Sequence, residues 1–245
     1  MGNRPTPRSI SRFRAAFGDE YLAFWTNGSY NIVLNNVIYC DPSGAQRIFN
    51  TQHRWLENRL QYAKDHQATN IFVFAHHPWF LYDELETPED LTGYSPYPDE
   101  WQPNDGTFPD SYFSMPPKYR AKALKLFRQF NVKACFSGHF HQNLVSKTSW
   151  GMDMIVTSSL SVVMNSTGKQ IIGSKINKSN EDEEEALLEA QCPHRRSRKM
   201  TYESEEAMIS SVSEDEIPVV EPNCRGFRVV DVPSDGSFRH FFVPL

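Results

Sequence analysis

The stretch Ile71-Phe72-Val73-Phe74-Ala75-His76-His77-Pro78 decides the fold and the site that the sequence predicts. Its apolar half is typical of a buried strand, and the histidines follow where that strand ends. A second run, from Val132 to Ser137, leads in the same way into Gly138-His139-Phe140-His141. Open α/β sheets bind ligands just beyond the carboxyl ends of their strands, and neutral imidazole is the commonest metal ligand in proteins. The two stretches therefore predict one metal site built from two loops.

Helix and strand signals surround these two stretches. Thr6-Pro7 is typical of a helix start, because a hydroxyl caps the first turn and proline fits the first helical position. Gly18 is typical of a helix end, and Asn27-Gly28 predicts a tight hairpin. Periodicity and composition predict helices over 45–66 and 117–130, and extended chain over 21–26, 30–34, 37–39, 71–75, 132–137 and 154–157.

The segment 79–116 between the two histidine stretches is a long loop rich in proline, aromatic and acidic residues. Loops of this length are usually functional or disordered. One interpretation is a lid that recognises substrate, since an acidic rim favours a basic phosphopeptide over an anionic nucleotide. The other is a loop packed on its own aromatic side chains. The residues concerned are Tyr82, Asp90, Tyr94, Tyr97, Asp99, Glu100, Trp101, Asp105 and Tyr112.

The composition of the chain changes sharply after residue 165. Residues 166–222 contain an acidic run, a basic run and many serines with few aromatic residues, which is typical of a disordered insertion. Two strand-like runs on either side of Ser234-Asp235-Gly236 then predict a closing hairpin. We therefore expect one domain in two parts, residues 1–165 and 223–245, interrupted by the insertion at 166–222.

Bulk properties argue against several classes of protein. The formal net charge of −5 gives no electrostatic basis for binding nucleic acid. No apolar run approaches the roughly 18–20 residues of a membrane span, and no secretory signal is visible. The four cysteines are scattered without a Cys-x-x-Cys pair, so we expect free thiols in a reducing compartment. The expected protein is cytoplasmic and binds neither nucleic acid nor membrane.

The His-x-Pro motif at 76–78 and the Gly-His-x-His motif at 138–141 together resemble the C-terminal half of the calcineurin-like metallophosphoesterases. The flanks narrow the resemblance to the calcineurin-like phosphoesterase domain-containing serine/threonine phosphatases, over roughly residues 3–165 and again from about 224 to 245. It implies an α/β fold, a two-sheet sandwich flanked by helices and lacking its N-terminal strands, with residues 1–165 as the C-terminal part of the domain. The supporting stretches are Pro5-Thr6-Pro7, Gly18-Asp19-Glu20-Tyr21, Phe24-Trp25, Val33-Leu34-Asn35, Ser137 to Asn143 and Asp153 to Ser159.

This resemblance also implies a chemistry. Members of the family are metal-dependent phosphoesterases, and here a serine/threonine protein phosphatase with a phosphoprotein substrate is implied. In the family, the first histidine of each motif binds one metal and the last histidine of Gly-His-x-His binds the other, which points to His76, His139 and His141. Two divalent ions of manganese, iron, zinc or magnesium clamp the phosphoryl group, and a metal-bound hydroxide attacks phosphorus.

Three further metal motifs of the family, Asp-x-His, Gly-Asp-x-x-Asp and Gly-Asn-His-Asp/Glu, do not occur in this sequence. Gly2-Asn3 resembles the start of the last one, but Arg4-Pro5 follow. We therefore expect that the chain is cut just downstream of the third motif, either as a short product or as an incomplete gene model. Such a chain should be weakly active or inactive alone. The alternatives are a non-catalytic pseudophosphatase or interaction module, and a single-zinc hydrolase of the metallo-β-lactamase type, which lacks support because no Asp-His pair follows His141.

Overall fold

A six-stranded sheet forms the centre of the computed structural model, which describes residues 4–96, 107–161, 163–164 and 224–245. Its strands are β1 (Leu22–Thr26), β2 (Ser29–Leu34), β3 (Asn70–Ala75), β6 (Ala134–Ser137), β7 (Leu144–Lys147) and β8 (Asp153–Val156). They lie in the order β1-β2-β3-β6-β8-β7, parallel from β2 to β8 with one antiparallel strand at each edge. With its flanking helices this sheet confirms the predicted α/β class.

Four helices accompany the sheet: α1 (Pro7–Phe17), α2 (Val37–Cys40), α3 (Gln46–Asp65) and α4 (Pro117–Gln129). The predicted start of α1 is confirmed, since the amide of Ser9 donates to the Thr6 hydroxyl over 3.2 Å. The extended chain predicted for 37–39 is wrong, because these residues form α2. Ile38 and Tyr39 are fully buried there, and packing into the core outweighs the strand preference of a β-branched and aromatic run.

The two faces of the sheet are covered by different elements, because side chains alternate between faces along each strand. One face, which includes Ile32 and Val73, packs against Leu56 of α3 and Phe127 of α4 in the larger core. We call it the helical face. The other face packs against the hairpin of β9 (Gly226–Asp231) and β10 (Arg239–Pro244), and we call it the hairpin face. The second sheet of the predicted sandwich is represented by this two-stranded hairpin.

Two predicted segments, 79–116 and 166–222, lie partly or wholly outside the described residues. The predicted loop at 79–116 contains a short antiparallel pair, β4 (Tyr94–Pro96) with β5 (Thr107–Pro109), which the sequence did not indicate. Residues 97–106 lie outside the described residues, and with them Tyr97, Asp99, Glu100, Trp101 and Asp105. The insertion predicted for 166–222 also lies outside the described residues, so the division into 1–165, 166–222 and 223–245 stays a prediction. Within the described ranges, no helix has the length and hydropathy that crossing a membrane requires.

Candidate metal centre

The two histidine motifs meet at the carboxyl ends of two central strands of the sheet. His76 follows β3 and Gly138 follows β6, and these strands are parallel neighbours, so their carboxyl ends lie side by side. The Gly138 amide donates a hydrogen bond of 3.1 Å to the carbonyl of His76, which joins the two loops directly. The parallel register of β3 and β6 therefore brings together residues that are about 60 positions apart in the sequence.

The imidazole rings at these strand ends form a cluster. The ring centroid of His139 lies 4.9 Å from that of His76 and 4.0 Å from that of His77. His141 lies near enough that its charge acts on both His76 and His139. His139 and His141 adopt φ angles of 68° and 58°, in the left-handed region that residues other than glycine rarely occupy and that often marks functional sites.

Burial favours the neutral form of His76, His77 and His139. It lowers the pKa of His139 to about 2, and the nearby rings of His77, His76 and His141 act in the same direction. Burial also lowers the pKa of His77 to about 4, with a smaller contribution from His76. The pKa of His76 is lowered by burial first and by His141 second. A neutral imidazole has the free lone pair that metal coordination requires.

Two asparagines hold the loops that carry the histidines. Asn36 is fully buried, and its amide side chain donates to the carbonyl of His77 over 2.7 Å and accepts from the amide of His77 over 3.1 Å. Asn143 accepts from the amide of Ser158 over 2.9 Å, which ties the second loop to the end of β8. Asn36 belongs to neither histidine motif, and the signal in the sequence that could have indicated its role is its position just past the end of β2.

Aromatic side chains from the end of the 79–116 segment cover His139. The ring centroids of Tyr112 and Phe113 lie 5.3 and 5.4 Å from that of His139. Phe108 packs in turn on Tyr112 and Phe113 at 5.2 and 5.8 Å. The described part of the segment thus packs on its own aromatic residues and also contacts the cluster, while Tyr94 remains about half exposed.

The donor chemistry of the cluster fits a divalent metal. Within the described residues, the Nε2 atom of His139 and both ring nitrogens of His77 are buried without a hydrogen-bond partner. Leaving buried polar atoms unpaired costs free energy, and a metal ion would use such a lone pair. Across the described ranges, however, no group of three or more His, Cys, Asp or Glu side chains has the arrangement that holds a metal ion. Binding would therefore require the rings to rearrange.

Comparison with known proteins identifies the relatives of this chain. The serine/threonine-protein phosphatase CPPED1 of Danio rerio is 33% identical over 160 residues, which is 65% of this chain and 44% of that protein. CPPED1 of Homo sapiens is 29% identical over 160 residues, which again cover 65% of this chain and 44% of that protein. The resemblance to calcineurin-like phosphatases is confirmed. The chain spans less than half the length of these curated relatives. No protein-family profile matches it.

Solved structures resemble this fold only distantly. One is a structure of GAP50, the anchor in the inner membrane complex of Plasmodium, which is 18% identical in sequence. It matches with a TM-score of 0.38 and covers 58% of this chain and 37% of that one. The structure of PhoD is 16% identical with a TM-score of 0.36, covering 57% and 28%. Because these TM-scores are low, the fold class is assigned from the sheet and helices described above.

Proposed function

We propose that this chain carries part of the active site of a metal-dependent phosphatase that hydrolyses phosphoserine or phosphothreonine in proteins. The observation that carries the proposal is the buried Nε2 of His139, which lacks a partner in the described residues and sits 4.9 Å, ring to ring, from His76. The names of the relatives support the reaction and the class of substrate. Because the chain spans under half of those proteins, we expect only slow hydrolysis by the chain in isolation.

His76, His139 and His141 would hold the metal. A bound divalent ion polarises a phosphoryl oxygen and lowers the pKa of a coordinated water. Three imidazoles suit zinc and iron, whereas manganese and magnesium favour additional oxygen ligands. Burial favours the neutral form of His76 and His139. The chain also fixes the first loop through Asn36 and shields His139 from water with Tyr112 and Phe113.

The charge of the cluster limits what it can hold. Two divalent ions a few ångströms apart repel each other strongly, and anionic ligands must offset that repulsion. No carboxylate of the described residues joins the histidines in a metal-holding group. We therefore predict that the chain binds at most one Zn²⁺ ion, weakly, since three histidines and a water are a legitimate zinc set.

Within the described residues no carboxylate joins the histidine cluster, and this supports a second candidate function. A chain that keeps the histidine loops without anionic metal ligands would act as a non-catalytic pseudophosphatase or interaction module. Hydrolysis and metal binding are separable measurements, so the two candidates can be told apart.

Calorimetric titration with Zn²⁺ and hydrolysis of a phosphoserine peptide with added Mn²⁺ test the proposal. We expect weak binding of one Zn²⁺ and slow, Mn²⁺-dependent hydrolysis, both abolished by His139→Ala. His66→Ala is the matched control, because His66 is exposed at the end of α3 and should leave both unchanged. Absence of both signals in the parent chain would refute the phosphatase and support the interaction module, whereas two tightly bound ions would refute our account of the charge.

A further inference from the structure

An open groove of about 490 Å³ lies beside α4, away from the histidine motifs. Its walls come from three places: the turn after the first histidine motif, the exposed side of α4, and the turn between β7 and β8. We call it the α4 groove. Its lining residues are Glu84, Leu85, Ala121, Leu124, Lys125, Arg128, Gln129 and Trp150.

The turn that forms one wall is held rigidly by a buried carboxylate. Glu86 accepts hydrogen bonds from the amides of Leu81 and Tyr82, each at 2.8 Å, and from the Ser114 hydroxyl at 2.6 Å. The side chain of Arg120 is only 2% exposed and donates to the backbone carbonyl of Glu86. These contacts fix the backbone of the turn and do not involve the side chain of Leu85.

Leu85 projects from this rigid turn into solvent. Its side chain is 79% exposed, while its amide is fixed by a 2.6 Å hydrogen bond to the carboxylate of Asp83. A single exposed leucine is ordinary on a protein surface. Leu85, however, borders a concave groove and extends from a fixed backbone. Packing a ligand on it would therefore cost little conformational entropy.

The exposed face of α4 carries positive charge only. Lys118, Lys122, Lys125 and Arg128 are exposed and spaced by three or four positions, so they lie side by side on the helix. No described carboxylate forms an ion pair with any of the four. Like charges at this spacing destabilise a helix, and the whole chain is acidic, with a formal charge of −5.

The far wall of the groove is also fixed. The guanidinium of Arg128 lies 5.6 Å from the ring centroid of Trp150, and the Nε1 of Trp150 is buried with no hydrogen-bond partner in the described residues. Glu84 accepts from the amide of Ser149 at 3.1 and 3.3 Å, which ties the first turn to the turn between β7 and β8. The groove therefore has preformed walls, an apolar floor and one cationic rim.

We propose that the α4 groove docks an acidic peptide segment of a partner protein, with a leucine-sized side chain among its glutamates or aspartates. The apolar side chain packs between Leu85 and Trp150, and the carboxylates pair with Lys125 and Arg128. Charge complementarity selects this occupant. A nucleic acid fits less well, because it carries no aliphatic side chain for the apolar part of the groove, and an anionic membrane fits less well, because the groove is concave. The proposal does not depend on catalysis.

Fluorescence anisotropy with a labelled synthetic peptide of glutamates around two leucines tests the proposal. We expect saturable binding that weakens as salt is raised, because surface charge pairs are screened. Replacing the glutamates of the probe by glutamine should abolish binding. The double variant Lys125→Glu with Arg128→Glu should weaken it at least tenfold, and Leu85→Ser about fivefold. All three positions are solvent-exposed or rim positions, so folding, checked by circular dichroism, should be unaffected.

Matched controls separate the groove from general charge and apolarity. Arg47→Glu with Arg54→Glu makes the same charge change on the exposed face of α3, and Leu160→Ser removes another leucine that is 61% exposed. Both should leave affinity within twofold of the parent chain. Equal weakening by the controls, equal binding of the glutamine probe, or tighter binding of single-stranded RNA or phosphatidylserine vesicles than of the peptide would each overturn the proposal.

Discussion

The two faces of the central sheet are covered to very different depths. On the helical face, Leu56, Leu60 and Phe127 are completely buried. On the hairpin face, the buried residues among those described are Phe72, Ala134, Phe136 and Ile155. The hairpin leaves Phe227 and Phe241 nearly half exposed. Because hydrophobic stabilisation scales with the apolar area removed from water, the helical face supplies most of it.

This difference also explains how the histidine cluster is held. Asn36, which braces the first histidine loop, immediately precedes α2, and Arg120, which braces the following turn, lies on α4. The hairpin contributes neither of these buried braces. The depth of the helical core therefore determines both the stability of the fold and the placement of the loops at the edge of the sheet.

Removing one phenylalanine from each face tests the contrast directly. Phe127→Ala should lower the free energy of unfolding by about 3–5 kcal/mol, because it opens a cavity in a fully buried core. Phe238→Ala removes the same atoms from a half-buried ring 5.0 Å from Phe72, and we expect a loss of about 1 kcal/mol. Urea denaturation of both variants measures the difference. A loss at Phe238 as large as that at Phe127 would show that the hairpin face is a full core.

A second pair of variants compares two arginine–carboxylate contacts. Arg120→Met leaves Glu86 buried without its cationic partner, whose Nη1 lies 3.7 Å from the carboxylate, and should cost about 3 kcal/mol. Arg239→Met breaks an exposed pair on the hairpin, where Nη2 lies 2.7 Å from Asp231, and should cost less than about 1 kcal/mol.

Thermal unfolding of the two methionine variants, beside the parent chain, gives the comparison. Arg120→Met should also raise proteolytic cleavage in the turn around Leu85, since that turn depends on Glu86. Unchanged cleavage together with a large stability loss would mean that the arginine supports the core alone and not the turn.

The parts of the fold that the sequence predicted are those with a local signature. Thr6-Pro7 and Asn27-Gly28 determine a helix start and a hairpin turn by their own backbone preferences, and both are confirmed. The runs before His76 and His139 also predicted buried strands. Their parallel pairing placed both motifs at one edge, as open α/β sheets require. Whether His76, His139 and His141 bind metal stays a prediction.

The parts that the sequence did not predict depend on distant contacts. Asn36 and His77 are 41 positions apart, and Arg120 and Glu86 are 34 positions apart, so no local pattern indicates either pair. The helix at Val37–Cys40 was missed for a related reason, since its apolar residues are buried by α3 and α4 rather than by strand neighbours. His53 stacks on Phe49 at 5.9 Å and is half-buried, a placement that its position on a long helix does not indicate.

His53 gives the smallest and sharpest test of the helical face. Burial lowers the pKa of His53, Lys122 lowers it further, and Glu57 partly opposes them. The Tyr39 hydroxyl, whose own pKa is raised by burial, is hydrogen-bonded to Nδ1 of His53 over 2.9 Å. Since the pKa in the folded state lies below that in the unfolded state, the unfolded chain binds more protons, and stability must fall as the pH drops below about 6.5.

His53→Gln keeps a hydrogen-bond acceptor for Tyr39 but cannot be protonated. We expect its free energy of unfolding to fall less steeply between about pH 7 and pH 5 than that of the parent chain, by at most about 1.4 kcal/mol per pH unit for one titrating group. The buried rings of His77 and His139 add the same slope to both proteins, so the difference isolates His53. Measurements near pH 8, where the imidazole is neutral in both states, provide the baseline. Parallel curves would show that water reaches His53, and that the helical face is less completely packed near α2 than its buried side chains indicate.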